Sequence, residues 1–192
     1  MFNRFSKEKS DFLKKKDKSK KGCVDEDIKD IVNAINSKKD YYTTSSCAGR
    51  IVLLEMKSRR KNECRWILTK HNKIKHNEIL NTLKNYNKNK KINNPIWFRQ
   101  QPLILHVACR NLDSAKKFLE IARKIFRRAG IIGITDKKVM IEIIGDERMD
   151  TIISDKNFAA DEKYLRNLVK YANRNFKENR KKNRGFLKLF KN

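Results

Sequence analysis

The stretch Tyr42-Thr43-Thr44-Ser45-Ser46-Cys47-Ala48-Gly49-Arg50-Ile51 is a run of small and hydroxylated residues with one charge near its end. The small residues from Thr43 to Arg50, which include the Ala48-Gly49 pair, predict a turn, because glycine has no Cβ and allows close approach of the backbone. The serine hydroxyls and the cation of Arg50 suit an anion such as a phosphate or a carboxylate. The alternative interpretation is a tight turn whose small residues pack under a sheet.

Helix and strand patterns flank this stretch on both sides. Before it, residues 25–37 carry apolar side chains at helical spacing, and Asp25 is placed to cap that helix. After it, residues 51–56 and 65–69 are predicted strands, and residues 77–86 form a predicted short helix. The first half of the chain therefore predicts helix, turn, two strands and a second helix.

The second half of the chain follows a similar order. Strands are predicted at 96–99 and 103–110, then a helix at 113–129 that Asp113 caps and Gly130 ends. A hairpin of residues 131–135 and 138–144 is followed by an extended piece near 151–153 and a basic helix from about 162 to 184. Each half thus contains a capped helix, an Ala-Gly pair and two strands.

This repeated order predicts a mixed α/β fold with a sheet built from two similar helix–turn–strand–strand halves. We expect residues 1–22 to form a basic N-terminal segment and residues 23–160 a core whose halves meet near 87–94. Residues 161–192 are expected to form a long basic helix packed on that core. A G-x-G-x-x-G loop follows none of the predicted strands, so a typical Rossmann fold has no sequence support.

The charge of the chain indicates a polyanionic partner. Forty-eight Lys and Arg residues against 22 Asp and Glu give a net charge of +26 and a pI near 10.1. Cationic side chains bind nucleic acids because phosphate contacts release condensed counterions. The alternative is codon drift, since the chain is rich in both Lys and Asn and many of these lysines could be merely solvated.

The cysteines and histidines do not predict a metal centre. Their spacings contain no C-x-x-C pair and no zinc-type cluster; the residues are Cys23, Cys47, Cys64, Cys109, His71, His76 and His106. The sequence also has no stretch that is long and apolar enough to cross a bilayer. We therefore expect no metal, no membrane contact and a cytoplasmic location.

Several motifs together resemble one known family. The segment at 43–50 is similar to the T-S-S-C-[SA]-G-R signature of the tRNA wybutosine-synthesizing protein 3 family, and residues 66–71 resemble its W-x-x-x-x-H element. Residues 102–110 resemble P-x-x-L-H-V-x-C-R, residues 126–131 resemble F-R-x-S-G-I, and residues 172–180 resemble its A-N-x-x-x-x-x-N-[KR] tail. The chain departs from the pattern at Ala129, where the family usually has serine, and at Ile125, where it usually has glycine.

The resemblance implies an S-adenosylmethionine-dependent methyltransferase of wybutosine synthesis that lacks the typical Rossmann fold. Its substrate is implied to be phenylalanine tRNA carrying 7-(3-amino-3-carboxypropyl)-4-demethylwyosine beside the anticodon, which is methylated at N4. Contact with other enzymes of the pathway is expected. The alternative is a non-catalytic module that presents tRNA to another modification enzyme, and a cysteine hydrolase is a more distant third.

The chemistry of methyl transfer assigns expected roles to the residues. The sulfonium donor is already activated, so the protein positions it and accepts a proton. Candidate proton acceptors are His71 and His106, although a surface histidine and a core histidine are the plain alternatives. Cys47 is not expected to act, because this transfer needs no covalent enzyme intermediate.

Binding residues are expected in two groups. Those expected to bind the cofactor or the substrate base are Thr44, Ser45, Ser46, Gly49, Arg50, Arg110 and Arg127. Those expected to bind tRNA are Tyr42, Lys170, Arg174, Lys177 and Arg180. Further aromatic residues that could stack on an exposed base are Tyr41, Trp66, Trp97 and Phe98.

The charge predicts a steep salt dependence of binding to tRNA. Each Lys or Arg contact to a phosphate contributes roughly −0.7 to −0.9 to the slope of log affinity against log salt concentration. We expect several such contacts, measured by filter binding across a salt series. A slope near zero would show that the Lys and Arg side chains do not contact phosphates, and that codon drift explains the number of lysines.

Overall fold

The computed structural model describes residues 4–15, 24–58, 60, 63–89 and 94–192. Within these residues it contains five helices and eight strands. The helices are α1 (Arg4–Leu13), α2 (Glu26–Ser37), α3 (His76–Asn89), α4 (Leu112–Arg123) and α5 (Glu162–Lys191). The strands are β1 (Tyr41–Cys47), β2 (Arg50–Met56), β3 (Cys64–Lys70), β4 (Ile96–Gln101), β5 (Ile104–Cys109), β6 (Arg128–Ile134), β7 (Val139–Ile144) and β8 (Met149–Ser154).

The strands form two separate four-stranded sheets. Sheet A has the order β1-β5-β7-β6, and sheet B has the order β3-β2-β4-β8. Every pair in both sheets is antiparallel. The predicted mixed α/β fold is confirmed, and it is not the parallel Rossmann arrangement. In the part of the chain that the structure describes, no helix could span a membrane.

The chain divides into two compact units. The first unit comprises Met1–Ala48, Leu103–Asp146 and Asn179–Asn192, and the second comprises Gly49–Pro102 and Glu147–Glu178. Sheet A lies in the first unit and sheet B in the second. Each sheet takes strands from both halves of the sequence, as expected.

The core of the first unit lies between one face of sheet A and the helices α2, α4 and the end of α5. Alternate residues of β5, namely Leu105, Val107 and Cys109, point into it. Phe118 of α4 contacts Phe186 and Phe190 of α5 with ring centroids 6.0 and 5.4 Å apart. Burial of such rings is a main source of the stability of a unit of this size.

The core of the second unit is built in the same way on one face of sheet B. Strand residues such as Leu53 and Phe98 are fully buried against apolar residues of α3 and the first part of α5. Asn173 of α5 ties the segment before α3 to this core, because its Nδ2 donates to the carbonyl of Ile74 at 2.8 Å and its Oδ1 accepts from the Ile74 N–H. The long basic C-terminal helix that the sequence predicts is therefore confirmed, and it extends further than residue 184.

The predicted division of the chain was wrong. A boundary near 87–94 is not observed, because residues 49–102 all belong to the second unit. The two helices expected to be equivalent, α2 and α4, lie in the same unit and share its core. Cys23, residues 1–3 and 16–22 of the expected N-terminal segment and residues 90–93 of the expected connection lie outside the described residues.

Three local predictions were also wrong. The cap of α4 is Asn111, which exchanges hydrogen bonds with Ser114, and not Asp113. That helix ends at Arg123, and Gly130 lies inside β6, because pairing with β7 satisfies the backbone there. Most of the expected small-residue turn is strand β1, so only Ala48 and Gly49 form the turn.

Two glycines should respond in opposite ways to alanine substitution. Gly185 lies inside α5, and a Cβ there would meet only Ile125 Cδ1 at an ordinary 3.5 Å. Gly185→Ala should therefore raise the free energy of unfolding by about 0.5–1 kcal/mol. Gly49 has φ of 100°, so Gly49→Ala should lower the free energy of unfolding by about 1–2 kcal/mol. Urea unfolding measures both; equal effects at the two positions would contradict the assigned conformations.

Candidate functional site

The Ala48 peptide is held from both sides by charged side chains of its own unit. Its N–H donates to Oδ2 of Asp25 at 3.1 Å, and its carbonyl accepts from Nη1 of Arg180 at 2.8 Å. Asp25 precedes α2 but makes no side-chain hydrogen bond to that helix. These contacts fix the backbone where the chain passes from sheet A to sheet B.

Arg180 is a structural residue in this arrangement. Its Nη2 lies 2.6 Å from Oδ2 of Asp27, and its side chain is only 11% exposed. Burial lowers the pKa of Arg180, and the charges of Asp27 and Asp25 oppose that shift. The expectation that Arg180 contacts a tRNA phosphate is therefore wrong, because its guanidinium is already committed to Ala48 and Asp27.

A β-bulge changes the direction of the side chains in β1. The bulge occurs at Thr44, so that Thr43 pairs with Val107 and Ser45 with His106. Asn36 of α2 holds the strand just before it, because the N–H and Oγ1 of Thr43 both donate to its Oδ1. A bulge re-aims the residues that follow it. Here it places Ser45 on the outer face of sheet A, away from the core.

The outer face of sheet A carries a polar row across its four strands. Cross-strand pairing aligns Ser45, His106, Glu142 and Gly130. Nε2 of His106 lies 2.8 Å from Oε2 of Glu142, and the two side chains are 30% and 33% exposed. A neutral imidazole that donates from Nε2 keeps a lone pair on Nδ1. The row therefore holds an oriented imidazole at a partly open surface.

A shallow cavity lies at the β6 end of this row. Its volume is about 290 Å³, and its lining residues are Arg127, Arg128, Ala129, Gly130, Ile131, Ile132, Glu142 and Ile144. A Cβ added at Gly130 would meet no atom within 4 Å, so the backbone is accessible there. The lining combines cations, a carboxylate and apolar side chains. Such a mixture can bind a molecule that has both charged and apolar parts.

The neighbouring row of the outer face is covered by α1. Tyr42 is fully buried, and its ring lies 5.4 Å from those of Phe5 and Phe12. Its hydroxyl donates to Oε1 of Glu8, and Lys138 also contacts that carboxylate. The expectation that Tyr42 stacks on RNA is therefore wrong, because its ring has no exposed surface.

Arg110 is also held by its own unit. Its Nε donates to Oδ1 of Asp40 at 2.6 Å, and its Nη2 donates to the carbonyl of Lys39. Its guanidinium carbon lies 5.1 Å from the centre of the Phe5 ring. The expected role in binding cofactor or substrate is not what this arrangement supports, because these contacts tie α1 to the end of β5.

The first unit also holds further residues that were expected to bind the cofactor or the base. Ser46 is half-buried opposite Leu105 on the core side, and Oγ1 of Thr44 lies 3.5 Å from the His106 carbonyl. Arg127 is exposed at the cavity. Of the residues expected to bind the cofactor or the base, only Ser45 and Arg127 therefore lie on the polar row or at the cavity.

In the second unit, Arg50 begins β2 and is fixed by its neighbours. Its Nε donates to Oε1 of Gln101 at 2.7 Å, and its guanidinium carbon lies 4.7 Å from the centre of the Trp66 ring. His71 follows β3 and is half-buried. Lys170, Arg174 and Lys177 are exposed on α5 at spacings of four and three residues, so they share one stripe of the helix.

Sequence reasoning missed Glu142 and the clamp made by Asp25. Glu142 is the one charge in the apolar strand Val139–Ile144, and such a residue signals a partner across the sheet. Asp25 was interpreted as a helix cap, although its carboxylate serves the Ala48 peptide. Burial raises the pKa of the Cys109 thiol to about 12.

The sequence of this chain is similar to those of known proteins. The sequence model of a family described as Methyltransferase TYW3 matches residues 7–192. A relative from Methanocaldococcus jannaschii, named tRNA(Phe) 7-((3-amino-3-carboxypropyl)-4-demethylwyosine(37)-N(4))-methyltransferase, is 38% identical over 84% of this chain and 83% of its own. A tRNA wybutosine-synthesizing protein 3 homolog from Mus musculus is 32% identical over 93% of this chain and 69% of its own.

Solved structures share the fold. The PH1069 protein from Pyrococcus horikoshii superposes with a TM-score of 0.84 at 30% identity, covering 97% of this chain and 98% of that one. A hypothetical protein from Aeropyrum pernix has a TM-score of 0.74 at 24% identity, covering 87% of this chain and 97% of that one. At that identity the second likeness concerns the fold alone.

The clamp on Ala48 predicts different effects for two arginines of α5. Arg180→Ala removes hydrogen bonds of a charged group from a largely buried site, and should lower the free energy of unfolding by about 1.5–3 kcal/mol. Arg174→Ala on the exposed stripe is the matched control and should change it by less than about 0.5 kcal/mol. Equal stability of both variants in urea unfolding would show that the Ala48 contacts do not hold the turn.

Proposed function

Because this chain belongs to the methyltransferase TYW3 family, we propose that it methylates N4 of 7-(3-amino-3-carboxypropyl)-4-demethylwyosine in phenylalanine tRNA. The family match over residues 7–192 carries this proposal, and the names of the relatives from Methanocaldococcus jannaschii and Thermococcus sibiricus supply its substrate. The fixed His106–Glu142 pair supports it independently, since N-methylation of this base releases a proton. Contact with other enzymes of the pathway stays a prediction.

His106 is the proposed proton acceptor. Its ring is oriented by the 2.8 Å contact between Nε2 and Glu142, which leaves Nδ1 to take the proton of the base. Glu142 is a positioning residue that stabilises the imidazolium as it forms. Ser45, directly opposite His106, presents a hydroxyl beside the same ring. His71 remains a second candidate from the sequence.

The methyl donor proposed for this site is S-adenosylmethionine, which supplies an activated methyl group. The cavity beside Glu142 fits its chemistry, because the donor has a carboxylate, an ammonium, hydroxyls and an apolar ring system. Arg127 or Arg128 would pair with its carboxylate, and Ile132 and Ile144 offer apolar surface. At about 290 Å³ the cavity is just below the roughly 300–1,000 Å³ that is usual for small-molecule sites.

The stripe formed by Lys170, Arg174 and Lys177 is proposed to contact tRNA phosphates. These side chains are exposed, and on a helix their spacing places them side by side. Phosphate contacts position a protein on its nucleic acid without reading sequence. Sequence or base recognition must therefore come from another surface.

A direct assay tests the proposed function. Purified protein is incubated with isotope-labelled S-adenosylmethionine and phenylalanine tRNA from cells stalled at the demethylated intermediate. We expect one labelled methyl group on the hypermodified base, located by mass spectrometry of nucleosides. Binding of the tRNA without transfer would favour the alternative of a non-catalytic tRNA-binding module.

Replacing His106 should separate catalysis from binding. His106→Asn should lower kcat about 100-fold or more, as loss of a general base does, with little change in tRNA affinity. Glu142→Gln should lower kcat less, because the ring loses its orientation but keeps its acceptor. His76→Asn is the matched control, since His76 also lies near a carboxylate, 3.7 Å from Glu162, on an unrelated surface. Unchanged kcat in His106→Asn would remove His106 from the mechanism.

A further inference from the structure

Both tryptophans of the chain lie on one face of sheet B. Leu54 of β2 pairs with Trp66 of β3 and with Trp97 of β4, so the three side chains share a face. Leu54 is 4% exposed between the two rings, whereas Trp66 is 38% exposed and Trp97 is half-buried. Neither ring belongs to the core that packs on α3 and α5. The tryptophans therefore form the face of the sheet opposite its helices.

An arginine stacks on each ring. The guanidinium carbon of Arg50 lies 4.7 Å from the centre of Trp66, and that of Arg99 lies 5.5 Å from the centre of Trp97. Gln101 accepts from Arg50 Nε, and Oδ1 of Asp150 lies 3.6 Å from Arg99 Nε. Cation–π contacts of this kind hold ring and cation in one orientation. Flat, cationic groups are thus fixed on the surface before any ligand binds.

The spacing of the rings indicates which nucleic acid they fit. Trp66 and Trp97 lie on strands separated by one strand, which corresponds to roughly 10 Å across the sheet. Successive bases stacked in a helix are only about 3.4 Å apart. The two rings cannot both stack on neighbouring bases of a duplex. They fit bases that are splayed out of a single-stranded loop.

We propose that Trp66 and Trp97, with Arg50 and Arg99, form a stacking platform for unpaired RNA bases. Its occupant, on the proposed function, is the anticodon loop of the tRNA substrate. Charge complementarity favours RNA, because the platform joins flat rings to cations in a chain of net charge +26. The other aromatic residues considered from the sequence do not compete, since Tyr42 and Phe98 are fully buried and Tyr41 packs on the first core.

Binding of RNA at the platform can be measured by tryptophan fluorescence. Because the chain has two tryptophans, both on this face, all of its tryptophan emission comes from the platform. The probe is an unmodified synthetic anticodon stem-loop of phenylalanine tRNA, titrated into the full chain without a methyl donor. We expect saturable quenching, since a base stacked on indole quenches it. A fully paired RNA of the same length is expected to bind without comparable quenching.

Variants assign the stacking to each ring. Trp66→Ala and Trp97→Ala should each weaken binding of the stem-loop roughly 5- to 150-fold, the range seen for base–aromatic stacking. Trp66→Phe should retain much of the affinity because a flat ring remains. Phe158→Ala is the control, a more exposed aromatic side chain outside the platform, and should bind as the parent does. Thermal melting of each variant checks that the sheet is intact.

Two results would overturn the platform. One is stem-loop binding by the parent chain without any change in tryptophan emission. The other is that both alanine variants bind the stem-loop with the affinity of the parent chain. Heparin or an acidic protein would then compete equally well for binding to all of these chains. Failure of methyl transfer with quenching and variant effects intact would instead remove the proposed function and leave the platform. The two ideas are thereby tested separately.

Discussion

The Ala48 peptide is the point on which the described structure depends most. A buried peptide needs partners for both its N–H and its carbonyl, and here the carboxylate of Asp25 and the guanidinium of Arg180 supply them. These two side chains come from sequence positions far apart, so the turn forms only when α2 and the end of α5 are in place. The next residue, Gly49, takes a positive φ that other residues rarely adopt. One fixed turn therefore sets where β1 ends and where β2 begins.

The proposed chemistry of this protein lies on the face of a sheet. A bulge at Thr44 brings Ser45 beside His106, and the register of β7 brings Glu142 to the same histidine. Strands hold such groups with little freedom, which favours a proton acceptor of defined orientation. The same principle applies to the outer face of sheet B, where rings and guanidinium groups are held against each other. Many Lys and Arg side chains among the described residues are exposed, and charge of this kind attracts a polyanion over a distance.

The sequence predicted what depends on local pattern. The amphipathic stripes of α2 and α5, the hairpin of β6 and β7 and the motif around Gly49 were all recognisable in it. Beyond that hairpin it did not predict which strands pair, so the composition of the two units and the His106–Glu142 contact could not be predicted. Asp113 and Gly130 show the same limit, because a capping pattern or a helix-ending glycine can be overridden by tertiary pairing. The roles of the arginines were the hardest to predict, because the sequence does not show their partners. Arg50 stacks on a tryptophan ring, Arg110 pairs with a carboxylate, and Arg180 donates to a backbone carbonyl.

The central claim is that Glu142 orients His106 and fixes its tautomer, so that Nδ1 of the neutral ring accepts the proton of the base. Nitrogen NMR of protein labelled at its histidines reads this directly, since only three histidines are present and His106→Asn identifies the signal. The account predicts that the neutral ring of His106 carries its proton on Nε2 and leaves Nδ1 bare, with that preference weakened in Glu142→Gln. A neutral ring protonated at Nδ1 in the parent protein would contradict it, because the proposed acceptor atom would then already be occupied.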